Sequence, residues 1–250
     1  MPTKTAVITR RSIVALAASA AVGLLAGLGA SAPAHAQAQA AGPPLKIGII
    51  GTGRIGSALA RHWVKAGHEV FVSSRHPEEL QDLVKELGPR AHAGTPKEAA
   101  AFGEVILVSI PYGAMPQIGT DLRAELAGKV ILDTSNPNPG RDGAEAAEWQ
   151  KKGAGVATAE LLHNNRVVRA FNCIGFMSLA NDGNRTPERL AIPIGGDDAQ
   201  AIAVAQRLVR DAGFDSVVIG SLAKTREFDL GQPLAKGNLT AADLRKLAGG

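Results

Sequence analysis

Apolar and polar residues form a regular alternation along the first part of this chain. Leu45–Ile50 is a short apolar run with the length and branched side chains of a buried strand. A glycine-rich turn, GTGRIG, follows at 51–56 and leads into a helical pattern that Gly67 ends. The apolar face of that helix consists of Ile55, Leu59, Trp63 and Val64. Glu69–Ser73 is a second strand, so the segment predicts strand, tight turn, helix and strand.

The same alternation continues through the rest of the chain. Further strands are predicted at Arg90–Ala93, Glu104–Ile110, Lys129–Asp133, Arg166–Phe171, Leu190–Ile194 and Asp215–Ile219. Helices are predicted at Pro77–Leu87, Pro96–Ala101, Gly113–Ala127, Gly143–Lys152, Thr158–Leu162 and Ala199–Ala212, and after the N-cap Thr240. This pattern predicts an α/β fold with a Rossmann-type, doubly wound, mostly parallel sheet and a short α/β C-terminal extension.

The glycines of the first turn have the spacing GxGxxG between a strand and a helix. Gly51 permits the tight turn, Gly53 lets phosphates approach the backbone, and Gly56 lets the helix pack close to the strand. The N–H groups and the dipole at the start of the helix then face the anion. A glycine-rich turn can be only a turn, but the flanking strand and helix favour a dinucleotide-binding site.

The end of the second strand indicates which dinucleotide binds. An NAD site usually has Asp or Glu at this point for the ribose hydroxyls, whereas this chain has Ser74 and Arg75. A charge-assisted hydrogen bond to a 2′-phosphate contributes ~1.5–3 kcal/mol, so the two residues predict a preference for NADP(H). In the alternative interpretation, Arg75 is a solvated turn residue before Pro77.

The first 36 residues differ in composition from the rest. This segment contains three basic residues, Lys4, Arg10 and Arg11, and no acidic residue. It therefore supplies most of the formal net charge of +4. A twin arginine before an Ala- and Gly-rich run that ends in Ala34-His35-Ala36 predicts a twin-arginine (Tat) signal peptide at 1–36. We expect cleavage near Ala36, a linker at 37–44, the Tat translocase as an export partner, and a periplasmic or secreted protein. An uncleaved membrane anchor is the alternative.

Composition and residue spacing exclude several other classes. No basic patch remains after residue 36, and aromatic residues make up only 4% of the chain, which argues against nucleic-acid binding. Cys173 is the only cysteine, so no internal disulfide is expected. His62 and His68 are too scattered for a metal site, and His163, beside Asn164 and Asn165, is interpreted as a surface residue, so we expect no metal. Asp133 fits either a catalytic acid or a turn residue, and its Asp-Thr-Ser-Asn-Pro context favours the turn.

Ligands of such sheets bind at the carboxyl ends of the strands. Asn172 follows the sixth predicted strand and could hydrogen-bond a nicotinamide or a substrate carbonyl. No Lys, Tyr or His dyad stands at these strand ends, so no catalytic acid or base is assigned. We expect an NADP-binding domain with its extension at 45–225 and a polar tail with one short helix at 226–250.

Six segments resemble the coenzyme F-420-dependent NADP oxidoreductase family, where F-420 is a deazaflavin. They are Lys46–Ala60, His68–Arg75, Val105–Met115, Val130–Pro137, Val167–Gly175 and Pro193–Ala201. Ferric reductases of the six-transmembrane prostate antigen type share the family's nucleotide domain. The resemblance implies hydride transfer between NADP(H) and coenzyme F-420 or a flavin as a small-molecule acceptor, by stacking of the rings.

The resemblance also implies roles for individual residues. The pyrophosphate loop falls on Thr52, Gly53, Arg54 and Ile55, the 2′-phosphate residues on Ser74 and Arg75, and the nicotinamide neighbours on Ile110, Pro111 and Ala170. Two other functions stay open: a non-catalytic NADP-binding or sensing protein, and an NADPH-dependent reductase of a small imine or carbonyl substrate. The latter families append a helical domain of ~100 residues, which the short segment after Ala223 does not supply. A homodimer is a further expected assembly.

Overall fold

A single eight-stranded sheet forms the centre of the fold in the computed structural model, which describes residues 42–163 and 166–249. The predicted signal peptide lies outside these residues. The strands are β1 Lys46–Ile50, β2 Glu69–Ser73, β3 Ala91–Gly94, β4 Val105–Val108, β5 Val130–Asp133, β6 Val167–Arg169, β7 Ala191–Gly196 and β8 Asp215–Gly220. Their order is β3-β2-β1-β4-β5-β6-β7-β8, and every neighbouring pair is parallel except β6 and β7.

Helices connect these strands. They are α1 Arg54–Lys65, α2 Gln81–Leu87, α3 Pro96–Phe102, α4 Met115–Asp121, α5 Arg123–Leu126, α6 Pro139–Asp142, α7 Glu145–Lys152, α8 Ala154–Leu161, α9 Phe176–Asn181, α10 Ala199–Asp211 and α11 Ala241–Leu247. Short 3₁₀ segments lie at Pro77–Leu80, Tyr112–Ala114 and Leu222–Phe228. None of the helices in the described part of the chain has the length and apolar character that a membrane span needs.

The predicted doubly wound α/β fold is confirmed, and the apolar strands explain it. All four residues of β4 are buried, because helices cover both faces of a parallel sheet. The adjacent residues Ile106 and Leu107 point to opposite faces. Leu107 packs in the cluster that includes Trp63, and Ile106 packs in the cluster that includes Tyr112.

Several predicted helix boundaries were wrong. The helix predicted at Gly113–Ala127 is interrupted at Leu122, whose φ and ψ are −111° and 16°. Leu122 nevertheless stays buried as its spacing predicts, so the apolar pattern did not show the break. The helix predicted at Thr158–Leu162 begins earlier, at Ala154, directly after Gly153 with φ 98°. The helices α6 and α9 were not predicted from the sequence.

The segment after Ala223 packs against the last two strands. Phe228, Leu234 and Leu244 are buried together with Ala191 of β7 and Val217 of β8. The predicted helix after Thr240 is present as α11. Its N-cap forms a capping box, in which the Thr240 hydroxyl accepts from Asp243 N and the Asp243 carboxylate accepts from Thr240 N. The polar-looking tail is therefore part of the folded domain.

A buried histidine fixes the start of β1. The Leu45 N–H donates to Nδ1 of His68 over 3.0 Å, and His68 Nε2 lies 3.0 Å from Oδ2 of Asp211. Because Nδ1 accepts a hydrogen bond, His68 is the neutral tautomer that donates from Nε2. The Arg207 guanidinium lies 3.3 Å from Asp211 and donates to the carbonyl of Gly42 over 2.6 Å. Burial lowers the pKa of His68, and its hydrogen bond to Asp211 opposes that effect.

Candidate functional site

The glycine loop after β1 needs each of its glycines for a different reason. Gly51 has φ 93°, and a Cβ there would lie 2.4 Å from the carbonyl oxygen of Ser109. A Cβ on Gly56 would lie 2.4 Å from the carbonyl oxygen of Gly51. A Cβ on Gly53 would meet no atom within 4 Å. Gly51 and Gly56 are therefore required by the fold, whereas Gly53 leaves open space beside the start of α1.

The start of α1 is suited to an anion. Gly53 is the N-cap and has no side chain to bond the first N–H groups, and the first turn of α1 contains no acidic residue. These N–H groups and the positive end of the helix dipole are therefore available for an external ligand. Arg54 and Ile55, the first residues of the helix, line a cavity. This arrangement fits a dinucleotide pyrophosphate.

Hydrogen bonds join the loop to the end of β2. The Thr52 hydroxyl donates to the carbonyl of Ser73 over 2.9 Å and accepts from the Ser73 N–H over 2.9 Å. The buried Ser73 hydroxyl donates to the carbonyl of Ile49 over 2.6 Å. Ser73 therefore holds the fold together. The next two residues, Ser74 and Arg75, line a cavity together with the glycine loop.

Two adjoining cavities follow the carboxyl ends of the strands. The first, of about 500 Å³, contains Ser74 and Arg75 in its lining, and the second, of about 660 Å³, contains Arg54 and Leu230. Both are lined by Gly53, Ser109, Ile110 and Pro111. We refer to the two together as the cleft. Its position at the carboxyl edge of the sheet is where doubly wound folds bind ligands.

The larger of the two cavities is lined by amide, hydroxyl and guanidinium groups. The polar side chains there belong to Arg54, Ser109, Thr134, Ser135, Asn136, Asn138, Arg141 and Gln150. Over residues 42–163 and 166–249, no Lys, Tyr, His, Asp or Glu lines this cavity. Leu230, whose side chain is 61% exposed, is also among the lining residues. Such a lining can bind and orient a ligand but offers no general acid or base.

A buried arginine supports the side of the larger cavity that Ser135 and Asn136 line, which we call the far wall. Nη1 of Arg169 donates to Oδ2 of Asp133 over 3.0 Å and to the carbonyl of Ser135 over 2.7 Å. Its Nη2 donates to Oδ1 of Asn136 over 2.7 Å, and its Nε donates to Oδ1 of Asp229 over 2.9 Å. Arg169 therefore connects the β5 loop, β6 and the C-terminal segment.

The Asp133 oxygen that accepts from Arg169 also accepts from a buried threonine. Thr158 donates its hydroxyl to Oδ2 of Asp133 over 2.8 Å, and the Tyr112 hydroxyl lies 2.9 Å from Thr158 and donates to the carbonyl of Ala154. Burial raises the pKa of Asp133, and the charge of Arg169 opposes that effect. Burial likewise raises the pKa of Tyr112. Asp133 is fully buried, so its contacts are those of a structural carboxylate.

The structure brings most of the predicted site residues to the cleft. The predicted cofactor residues that line it are Gly51, Thr52, Gly53, Arg54, Ile55, Ser74, Arg75, Ile110 and Pro111. Gly56 lies beneath the loop. Ala170 is fully buried and is not among the lining residues, and neither is Asn172. Asn172 Nδ2 donates to the carbonyl of Phe228 over 2.9 Å, so this predicted ligand contact is engaged inside the fold.

The remaining candidates of the sequence occupy structural positions. Nε2 of His62 lies 2.7 Å from the carbonyl of Leu179, and Nε2 of His163 lies 2.7 Å from a guanidinium nitrogen of Arg123. Cys173 is buried, which raises the pKa of its thiol to about 11. In the described residues, no group of three or more His, Cys, Asp or Glu has an arrangement that could hold a metal ion.

Sequence reasoning missed several lining residues. Arg141, Gln150 and Leu230 line the larger cavity but belong to no motif. Arg141 donates to the carbonyl of Asn136 over 2.8 Å, and Gln150 donates to the carbonyl of Pro137 over 2.8 Å. These bonds tie α6 and α7 to the loop after β5, and they form only in the folded chain, so no local sequence pattern predicts them.

The fold, the glycine loop and the cleft together define a dinucleotide-binding domain of the Rossmann type. Residues 46–137 match the protein family described as NADP oxidoreductase coenzyme F-420-dependent. The match covers β1 through the loop after β5 and thus includes the lining shared by the two cavities.

Individual relatives extend this similarity beyond residue 137. The chain is 32% identical over 190 residues to metalloreductase STEAP3 of Rattus norvegicus, which covers 74% of this chain and 36% of that protein. The chain therefore spans about a third of the length of this relative. It is 28% identical over 204 residues to an F-420-dependent NADP reductase of Methanothermobacter thermautotrophicus, covering 76% of this chain and 87% of the relative.

A solved structure agrees over nearly its whole length. A hypothetical protein of Sinorhizobium meliloti superposes with a TM-score of 0.69 at 26% identity, covering 79% of this chain and 96% of that one. The family match and the named reductases support an NADP-dependent oxidoreductase.

Proposed function

We propose that this protein transfers hydride between NADP(H) and a deazaflavin, coenzyme F-420, or a flavin-like acceptor. One observation carries the proposal: Ile110 and Pro111 lie in the lining shared by two cavities. One of these cavities contains the pair Ser74 and Arg75. The other is large enough for a second ring system and has Leu230 in its lining. The name of the methanogen relative supports coenzyme F-420 as the acceptor.

The chain's own residues bind the dinucleotide at three points. The Ser74 hydroxyl and the Arg75 guanidinium bind the 2′-phosphate by charge-assisted hydrogen bonds. The uncapped N–H groups of α1 bind the pyrophosphate, and the open space at Gly53 lets it approach the backbone. Ile110 and Pro111 form an apolar wall for the nicotinamide ring.

The rate of the reaction then depends on orientation. NADPH supplies the hydride when bound, and the lining residues hold the two rings in contact and exclude water. Because hydride transfer between stacked rings requires no proton transfer by the protein, the amide-rich lining of the larger cavity suits it. The buried carboxylate of Asp133 orients the β5 loop through Ser135 and does not reach the cleft.

The decisive experiment measures NADPH oxidation with separate acceptors: coenzyme F-420, FMN, FAD, a ferric chelate and a cyclic imine. We expect turnover with F-420 or a flavin. Turnover with the imine alone would favour an imine or carbonyl reductase. Tight NADPH binding without turnover on any acceptor would contradict an enzyme and favour an NADP-binding or sensing protein.

We also propose that residues 1–36 direct the folded protein through the Tat translocase to the periplasm or the exterior. The twin arginine Arg10-Arg11 and the Ala34-His35-Ala36 site support this. Replacing both arginines by lysine should leave the protein in the cytoplasm, and the amino-terminal sequence of the exported form should begin near Gln37. We propose a homodimer as the assembly, which sedimentation of the exported protein tests.

A further inference from the structure

An arginine of the glycine loop stacks on an exposed aromatic ring at the rim of the cleft. The guanidinium carbon of Arg54 lies 4.7 Å from the centroid of the Phe176 ring. This distance is well within the range of a cation–π interaction. Phe176 is the first residue of α9 and is 37% exposed. An exposed phenylalanine that stacks on an exposed arginine is not explained by packing of the core.

The ring is a fixed platform for the arginine. Helix α9 packs along α1, and Nε2 of His62 on α1 lies 2.7 Å from the carbonyl of Leu179 on α9. Leu179 is fully buried in the same cluster as Leu59. The start of α9 therefore keeps its position relative to the start of α1, and stacking on Phe176 restricts a long side chain that would otherwise sample many rotamers.

Arg54 is a cation without a partner carboxylate. In the described part of the chain, no Asp or Glu oxygen lies within 4.0 Å of its guanidinium. It is the first residue of α1, so its side chain leans toward the N-terminal end of the helix. Its positive charge thus adds to the uncapped N–H groups at the same place.

We infer that Phe176 is a positioning residue that holds the Arg54 side chain at the start of α1, where the guanidinium binds the pyrophosphate of the dinucleotide. This inference rests on the proposed function, since NADP(H) supplies the pyrophosphate. It assigns the Arg54 side chain a contact in addition to the backbone N–H groups of the loop. It also assigns a role to Phe176, which lines neither cavity.

The test measures NADP⁺ dissociation constants without any acceptor. Arg54→Gln should weaken binding about tenfold. Phe176→Leu should weaken it about threefold to fivefold, whereas Phe176→Tyr, which keeps an aromatic face, should bind like the wild type. Met177→Ala, at the more exposed neighbouring position, is the matched control and should have no effect. The Arg54→Gln/Phe176→Leu double variant should bind no more weakly than Arg54→Gln, because Phe176 acts through Arg54.

Two further readouts separate a charge effect from a structural one. The wild-type dissociation constant should rise more steeply with salt than that of Arg54→Gln or Phe176→Leu. The fold-loss should be larger for NADP⁺ than for 2′,5′-ADP, which lacks the phosphate on the nicotinamide side. Equal binding by Phe176→Leu and Phe176→Tyr, or additive losses in the double variant, would overturn the inference. A wild type that binds no NADP⁺ would overturn the proposed function as well.

Discussion

The guanidinium of Arg169 and the carboxylate of Asp133 form an ion pair of 3.0 Å in which both side chains are fully buried. Arg169 stands at the end of β6 and Asp133 at the end of β5, so the pair joins neighbouring strands at the edge that carries the cleft. The same guanidinium bonds Asn136 in the lining and Asp229 in the C-terminal segment. The far wall of the cleft therefore depends on one buried charge.

Removing that charge should strongly destabilise the fold. Arg169→Met leaves Asp133 and Asp229 without their cation, and the loss of one partner of a buried pair lowers the free energy of unfolding by about 3–5 kcal/mol. Urea denaturation measures this change. The Arg169→Met/Asp133→Asn double variant should lose less than the sum of the single variants, because the buried negative charge is removed. A loss below about 1 kcal/mol for Arg169→Met would contradict this account.

Alanine substitutions at two glycines of the loop should affect different properties, namely stability at Gly51 and NADPH binding at Gly53. Gly51→Ala places a Cβ 2.4 Å from the Ser109 carbonyl on a backbone with φ 93°, so we expect a destabilisation of roughly 1–3 kcal/mol. Gly53→Ala meets no protein atom within 4 Å and should change the unfolding temperature little. Its methyl group should instead obstruct the pyrophosphate and weaken NADPH binding by at least tenfold, as measured by titration calorimetry. Wild-type binding by Gly53→Ala would contradict the pyrophosphate site.

Charge reversal at Arg75 should act on one dinucleotide only. Arg75→Glu replaces a cation beside the 2′-phosphate by an anion and should raise the dissociation constant for NADPH about tenfold to hundredfold. The value for NADH should stay the same or improve. Arg90→Glu reverses an exposed charge outside the cleft lining and is the control. An equal loss for both dinucleotides would refute the 2′-phosphate role.

The buried His68 should make the fold sensitive to mild acid. The side chain is 1% exposed, and burial lowers its pKa below the ordinary value near 6.5. Between the pKa of His68 in the folded protein and its higher pKa in the unfolded chain, the unfolded chain binds more protons than the folded one. The free energy of unfolding therefore falls as the pH drops below about 6.5. His68→Gln can still accept from the Leu45 N–H but does not titrate. Urea denaturation between pH 7 and pH 5 should show a shallower pH dependence for this variant than for the wild type.

Local patterns explain why much of the fold could be predicted. The run EVILVSI at 104–110 has the composition of a strand buried on both faces, and Val105–Val108 forms β4. The spacing of apolar residues could not show the interruption of the helix at Leu122, because Leu122 is buried in the interrupted structure just as it would be in a continuous helix. It could not show α9 either, because that helix has only six residues.

The two cavities of the cleft also differ in how far the sequence could predict their lining. The glycine loop and Ser74–Arg75 lie within one strand–helix–strand unit, so a local motif predicts them. Leu230 reaches the cleft through contacts distant in sequence, namely Arg169 with Asp229 and Asn172 with Phe228. The sequence therefore indicated Asn172 as a ligand contact. In the fold, its amide nitrogen instead donates to the backbone carbonyl of Phe228, two residues before Leu230.

The position of Arg169 restricts local unfolding of the C-terminal segment. The C-terminal segment cannot detach at Asp229 without stranding a guanidinium that is fully buried between the strands. Amide hydrogens of that segment, such as that of Leu234, should consequently exchange with solvent only in openings nearly as rare as those of β5 and β6. We therefore expect the far wall to unfold together with the sheet, so that the cleft is already formed in the protein without nucleotide.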